Sequence, residues 1–275
     1  MMIRFRFSKW ISIMMCLCLS GCMSSGKDPD HLLEISVAGL AGMDNLTFQG
    51  ESSIRSDPAG IYNRTVQYEG ELQKHRLLTM KISHRDRVPN HELYTSAGST
   101  MNGFQAKIRY QDGRWAPLAD GYAEAGWVSG FNPLQQLESM INMEKTVTEE
   151  VGAPRGRRIL RVQLKEEASR TLAVNMLNEQ MAELRQRFED QEGDLYTRDK
   201  KARERLTAIW EKEDQAMKKL LEQSKISVLY HITINEASSL PERLTSEIRM
   251  RYDDFSGVNR DERSLSEVRF IRYAQ

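Results

Sequence analysis

Histidines and adjacent carboxylates are the side chains with catalytic potential in this chain, and their spacing fits no known reaction. Two-ligand helical spacing, which would hold a metal ion, is absent among the five histidines His31, His75, His84, His91 and His231. His84-Arg85-Asp86 has the letters of a kinase catalytic loop, but no glycine-rich phosphate loop or Asp-Phe-Gly accompanies it. Glu166-Glu167 and Asp253-Asp254 are typical of solvated surface. We therefore expect no enzyme active site, no metal site and no cofactor.

Cysteine chemistry is concentrated at the start of the chain. Three basic residues precede a short apolar stretch from Trp10 to Leu19, which Leu19-Ser20-Gly21-Cys22 closes. This stretch is about half of the roughly 20 residues that a spanning helix needs, so it predicts a signal peptide. The closing tetrapeptide resembles the lipobox of bacterial prolipoproteins, in which the cysteine receives a diacylglycerol and the chain is cut just before it. The alternative is an ordinary secretory signal with an incidental cysteine.

Cleavage at this point would leave Cys22 as the lipidation site. Cys16 and Cys18 would be lost with residues 1–21, so the mature chain would have no partner for a disulfide and no thiolate metal site. Two acyl chains of the palmitate type hold a protein stably on a membrane, at about 0.8 kcal/mol per buried methylene. Residues 22–30 contain a polar run and are predicted to be a tether. The predicted location is the extracytoplasmic face of the cell membrane, or the outer membrane in a cell with two.

The charge of the mature chain argues against a nucleic-acid partner. Removing Arg4, Arg6 and Lys9 lowers the 39 basic residues to 36 against 39 acidic ones, which gives a net charge of −3. Nucleic-acid binding depends on an excess of basic charge at the contact surface. The membrane, reached through the lipid anchor, is the predicted partner.

The first part of the predicted domain 31–275 combines one helix with paired strands. Residues 31–43 have helical apolar spacing, with Asp30 as the expected N-cap. Residues 47–54 and 62–68 are rich in β-branched and aromatic side chains and are predicted to be strands joined by a turn at 57–60. A third strand is predicted over 75–83, before a polar loop at 84–103. The alternation of Phe104 to Tyr110, followed by Asp112-Gly113, predicts a tight hairpin into Arg114-Trp115.

A helix and one further strand follow. Asn132-Pro133 is a helix start signal, and Leu134, Leu137, Met140 and Ile141 then fall on one face. Residues 158–164 alternate between apolar and polar side chains and are predicted to form a strand.

The segment at about 166–224 has a different pattern, in which apolar residues at helical spacing lie among many charged residues. One apolar stripe runs through residues 173–188 of a helix that we expect over 166–189. A second helix is expected from Leu195 to Gln223, with Gly193 as the natural break between the two. Its apolar stripe consists of Ala202, Leu206, Ile209, Ala216, Met217, Leu220 and Leu221. The two helices would each be on the order of 35 to 45 Å long. We predict an αα-hairpin of coiled-coil character inserted into the domain.

The alternating pattern typical of strands resumes after this insertion. Residues 226–234, 245–252 and 265–273 alternate, and Leu240-Pro241 ends the connection between the first two. The strands are nearly all consecutive in sequence, so we expect an antiparallel sheet of about eight strands and an α+β fold.

The order of these elements resembles the LolA/LppX-like (lipoprotein-carrier-like) group of lipoproteins. The similarity rests on Tyr110-x-Asp112-Gly113-Arg114-Trp115, on Asn132-Pro133, and on Tyr230-x-Ile232-x-Ile234 leading to Leu240-Pro241. It implies an open, strongly curved antiparallel sheet whose concave face is covered by helices. It also implies an apolar interior that holds acyl chains in some relatives. The residues expected to line such a site are Phe48, Ile108, Tyr110, Trp115, Leu134, Leu137 and Tyr230.

Two non-catalytic functions are compatible with these features. The first is binding of a lipid or other hydrophobic ligand between sheet and helices. The second is an envelope interaction or scaffold role, in which the charged helical hairpin engages a protein partner. The hairpin departs from the simplest members of the LolA-like group. An open apolar cavity would favour the first function, whereas a filled core with an exposed apolar stripe on the hairpin would favour the second.

Overall fold

The computed structural model describes residues 28–56, 62–84, 104–118, 130–189 and 199–274. The predicted signal peptide, Cys22, the turn at 57–60 and nearly all of the 84–103 loop lie outside these ranges. The described residues form an α+β fold with one large open antiparallel sheet and four helices.

The elements follow each other in a simple order along the chain. The helices are α1 (Pro29–Ala41), α2 (Pro133–Asn142), α3 (Glu166–Glu189) and α4 (Lys200–Gln223). The strands before α2 are β1 (Asn45–Ser56), β2 (Tyr62–Gln73), β3 (Leu77–His84), β4 (Phe104–Gln111) and β5 (Arg114–Pro117). Those after it are β6 (Lys145–Glu149), β7 (Arg157–Leu164), β8 (Lys225–Asn235), β9 (Pro241–Asp253) and β10 (Asn259–Ala274).

The sheet consists of two five-stranded meanders joined at its centre. Its order is β5-β4-β3-β2-β1-β10-β9-β8-β7-β6, and β1 pairs with β10 where the two halves meet. The predicted antiparallel sheet is confirmed, but among the described residues it has ten strands rather than about eight. The sequence analysis missed β6, because its five residues carry a single apolar side chain, Val147, between polar neighbours.

Alternation gives the sheet a buried inner face and a polar outer face. On β8 the side chains from Ile226 to Ile234 alternate between buried and less buried positions, as predicted. The buried inner side chains form one continuous core with Leu33 and Leu40 of α1 and with Leu134 and Leu137 of α2. Both helices therefore serve as covers for the inner face.

Two glycines on the inner face of β1 and β2 each lie against an aromatic ring. Gly70 pairs with Phe48 across the two strands, and Gly50 pairs with Tyr68. A Cβ atom added at either glycine would lie well inside 3.0 Å of the facing ring. The absence of a side chain therefore lets each ring lie flat on the neighbouring strand.

The helix starts differ from the predicted ones in two places. α1 begins at Pro29, and Asp28 rather than Asp30 is its N-cap, because proline is well accommodated in the first turn. α4 begins at Lys200, where the Asp199 side chain accepts a hydrogen bond from the Lys201 backbone N–H at 2.9 Å. At α2 the prediction is confirmed, since Asn132 Oδ1 accepts from the Leu134 N–H at 3.1 Å.

The two long helices lie between β7 and β8 in the chain and contact each other. α3 packs on β8, and α4 contacts β9. Trp210 Nε1 donates to the Met181 carbonyl oxygen at 2.8 Å, and the Arg185 guanidinium lies 5.1 Å from the centre of the Trp210 ring. Ile209, which is predicted to belong to the apolar stripe of α4, is 58% exposed. It therefore lies outside the buried part of that stripe. In the described part of the chain no helix is both long and apolar enough to cross a membrane.

Candidate functional site

The seven residues predicted to line a ligand site belong to, or adjoin, one continuous core. Five of them are buried to 6% exposure or less: Phe48, Ile108, Leu134, Leu137 and Tyr230. Trp115 is partly buried against this core, and the Tyr110 ring lies against the Trp115 ring at 5.1 Å between centres. Phe48 packs edge-on against Phe270 at 6.3 Å. Most of the set therefore fills space in the core.

Three of the seven residues line one cavity together. Trp115, Leu134 and Leu137 contribute to a space of about 140 Å³ between α1, α2 and the sheet, which we call the α1–α2 cavity. Its other walls are Val37, Ala38, Leu40, Ala41, Met43, Leu72, His75 and Glu138. Ligand pockets for drug-sized molecules typically enclose about 300 to 1,000 Å³, so this cavity is too small for a lipid.

Two polar groups of the α1–α2 cavity are unusual for such an apolar site. Trp115 Nε1 is buried and has no hydrogen-bond partner among the described residues. Burial raises the pKa of the Glu138 carboxyl, and the neighbouring Trp115 indole N–H offsets this only in part. The indole nitrogen is thus close to the carboxyl without forming a hydrogen bond of normal geometry.

Sequence analysis missed Glu138 and His75 as lining residues. Glu138 follows Leu134 by one helical turn, so it falls on the apolar face of α2, and a charged residue at that position was an available signal. His75 lies in the β2–β3 turn with positive φ and contacts the Asp44 carboxylate. That position gave no sign of a cavity from the sequence.

A polar trough lies on the outer face of the sheet. It encloses about 1050 Å³, and its lining includes Glu51, Glu69, Lys81, His231, Glu267 and Arg269. Lys81 pairs with Glu69 at 3.2 Å and Arg269 with Glu267 at 2.8 Å. His231 is half-exposed, and its Nε2 lies 3.0 Å from Oε1 of Glu150. The charges of this outer trough are thus largely satisfied by one another.

Carboxyl groups with lowered pKa values hold strands together. The Arg158 guanidinium, hydrogen-bonded to Glu149, lowers the pKa of that carboxyl, and this pair joins β7 to β6. Arg249 lowers the pKa of Asp261 in the same way between β9 and β10. Among the described residues no three His, Cys, Asp or Glu side chains come together as a metal-binding group. The lowered pKa values of Glu149 and Asp261 are therefore explained by ion pairs that join neighbouring strands.

Comparison with known proteins identifies no family for this chain. No protein-family model matches the chain, and no curated protein matches it. One similar solved structure concerns lipid–protein interactions in lipovitellin, with 10% identity and a TM-score of 0.37 over 84% of this chain, which spans 25% of the lipovitellin chain. Another is the acyl-CoA thioesterase II TesB2 from Mycobacterium marinum, with 9% identity, a TM-score of 0.15, and coverage of 88% and 89%. TM-scores this low support no argument about function.

Proposed function

We propose that this chain is a membrane-anchored, non-catalytic lipoprotein on the extracytoplasmic face of the cell envelope, and that it works by engaging a protein partner. The anchor would be Cys22, at the end of the Leu19-Ser20-Gly21-Cys22 sequence. The partner would be bound by the α3–α4 hairpin. The observation that carries this proposal is the connection between β7 and β8.

The sheet has no need of so long a connection. β7 and β8 are antiparallel neighbours, yet residues 165–224 separate them. A two-residue turn is enough to join such strands, as Asp112-Gly113 does between β4 and β5. Both of those residues have positive φ, which a tight turn of this kind requires. The extra length at β7–β8 is therefore available for another role.

The hairpin is fixed to the sheet, so it would present a defined surface. Ala173 and Leu177 of α3 and Leu221 of α4 pack against the main core. Further along, the Trp210 side chain ties α4 to the α3 backbone at Met181. The space beneath α1 and α2, only about 140 Å³, also favours this role over transport of a lipid. A rigid projection loses little conformational entropy when it binds a partner.

Site-specific photocrosslinking tests the proposal. A photoreactive amino acid replaces Ile209, the 58% exposed apolar residue of α4, and a second variant carries it at Val151, which is fully exposed in the β6–β7 turn. We expect irradiation of intact cells to give one discrete crosslinked protein from position 209 and none from position 151. Equal products from both positions, or none from either, would contradict the proposal.

A shortened hairpin provides the matching loss-of-function variant. Replacing residues 187–203 by a short Gly/Ser linker keeps Trp210, Met181 and the helix bases that pack on the sheet. We expect unchanged cooperative unfolding and loss of the position-209 crosslink. A retained crosslink would show that the removed part of the hairpin is not needed for the contact.

Binding of a lipid between sheet and helices is the second candidate function. The observation that favours it is that Trp115, Leu134 and Leu137 do line one cavity. Native mass spectrometry of the unlipidated chain, purified without detergent, tests it directly. A stoichiometric acyl ligand that disappears in Leu137→Trp, with the fold retained, would favour this function. Because the α1–α2 cavity encloses only about 140 Å³, we expect no such ligand.

A further inference from the structure

We propose that the α1–α2 cavity is a binding site for a small molecule with a compact apolar body and one hydroxyl group, such as a phenol or a short alcohol. The proposal is independent of the hairpin and of any lipid. It depends on the size of the cavity and on the two polar groups that line it.

The volume selects the apolar body of the ligand. The cavity encloses about 140 Å³ and has mainly aliphatic walls, among them Leu40, Leu72, Leu134 and Leu137. An engineered apolar cavity of about 150 Å³ in another protein stays dry and binds benzene. A single six-membered ring or a chain of similar size is therefore the body that fits.

The polar groups select the hydroxyl. The Trp115 indole N–H is a buried donor that makes no hydrogen bond of normal geometry among the described residues, although it lies close enough to the Glu138 carboxyl to offset part of the rise that burial causes in the pKa of that group. The Glu138 carboxyl, which lies beside it on the cavity wall, is an acceptor when ionised. A hydroxyl group accepts from the indole and donates to the carboxylate at the same time. A hydrocarbon would satisfy neither group, and a carboxylate ligand would be repelled by Glu138.

The wall of the cavity reaches the protein surface at His75. His75, one of its lining residues, is exposed, and its imidazole contacts Asp44 on the surface. Because a hydroxyl can pair with both Trp115 and Glu138, we expect the cavity to bind phenol more tightly than toluene. We expect toluene to bind more tightly than benzoate, because Glu138 repels a carboxylate.

Indole NMR signals report on this site directly. The mature chain has three tryptophans, Trp115, Trp127 and Trp210, and Trp115→Phe identifies the signal of interest. The unlipidated Cys22→Ser chain, labelled with ¹⁵N-tryptophan, is titrated with phenol, toluene and benzoate. We expect phenol to shift the Trp115 signal saturably and to leave the Trp210 signal in place.

Two variants separate a specific site from general apolar binding. Glu138→Leu removes the acceptor and should weaken phenol binding by about tenfold, the scale of one hydrogen bond to a charged group, with little effect on toluene. Glu138→Gln keeps an acceptor and should retain the preference for phenol. No saturable shift, equal shifts of the Trp115 and Trp210 signals, or a preference for phenol that survives in Glu138→Leu would overturn the proposal. The first of these outcomes would mean that the cavity holds water only.

Discussion

Gly70 lies directly under the Phe48 ring, and Gly50 lies under the Tyr68 ring, in the same pair of strands. Glycine normally weakens a strand, because it has no side chain to pack and loses much backbone entropy. Here the neighbouring ring fills the missing volume. The two glycines are therefore part of how the centre of the sheet is packed.

Gly70→Ala should destabilise the domain through overpacking. The new methyl group would clash with a ring that is 1% exposed and held from the far side by Phe270. We expect a loss of about 1 to 3 kcal/mol in the free energy of unfolding, measured by urea denaturation. Gly42→Ala is the matched control, because its Cβ would make ordinary contact at 3.4 Å in helical backbone. Equal losses in both variants would contradict this account.

At the residue scale, sequence patterning could predict burial but not cavities. Leu137 and Tyr230 were placed on the correct faces because helical and strand periodicity identify the core side. Glu138 was missed because periodicity assigns charged residues to solvent. The contact of Phe48 with Gly70 also could not be predicted from the sequence, because it depends on the register between β1 and β2.

The α3–α4 hairpin illustrates what can be predicted at the scale of elements. Its two helices were recognised from apolar spacing and from the change in composition, and their 24-residue lengths match that expectation. The start of α4 was placed too early, because Leu195 is apolar whereas the capping signal is Asp199. Ile209 was assigned to the buried stripe because spacing alone does not show where the partner helix lies. The boundaries of the whole domain stay a prediction.

Trp210→Phe should loosen the hairpin without affecting the sheet. The variant keeps most of the ring packing but removes the hydrogen bond to the Met181 carbonyl and weakens the contact with Arg185. We expect a cost of about 0.5 to 1.5 kcal/mol. Hydrogen exchange should show faster exchange in α3 and α4 and unchanged protection in β8 and β9. Uniform loss of protection across all four elements would show that the hairpin and sheet unfold as one unit.

At the scale of the whole molecule, ion pairs between strands predict the response to acid. The pKa of Glu149 is lowered from 4.5 by Arg158, and that of Asp261 from 3.8 by Arg249. A carboxyl whose pKa is lowered by folding stabilises the protein above its unfolded pKa, and this contribution is lost as the pH falls through the folded value. Stability should therefore be constant near neutrality and fall below about pH 4.5.

Urea denaturation between pH 7 and pH 3 measures this dependence. We expect Asp261→Asn to be less stable than the parent at pH 7, and the difference to shrink as the pH falls. At the alkaline end, burial raises the pKa of Tyr68 from 10.0 to about 12, so its contribution should persist to pH 10 and be lost through pH 12. Parallel stability curves for the parent and Asp261→Asn would refute the acid prediction.

Cys22→Ser tests the proposed attachment of the whole molecule to a membrane. The serine hydroxyl cannot take the place of the thiol in acylation, so we expect no incorporation of labelled fatty acid and release of the protein from the membrane fraction. The Cys16→Ser, Cys18→Ser double variant should be labelled like the parent. Labelling that persists in Cys22→Ser would rule out this residue as the anchor.

The central position of the β1–β10 pair determines when the protein can fold during its biogenesis. Leu46 and Tyr273 are partners in this pair although most of the chain separates them, so the sheet closes only after the last strand has been made. Such distant pairing makes folding slow, because the entropy of closing a long loop must be overcome before the contacts form. A chain that ends before Asn259 would have two half-sheets with β1 and β9 as bare edges. Unprotected edges of this kind aggregate, so premature termination should give insoluble protein rather than a smaller domain.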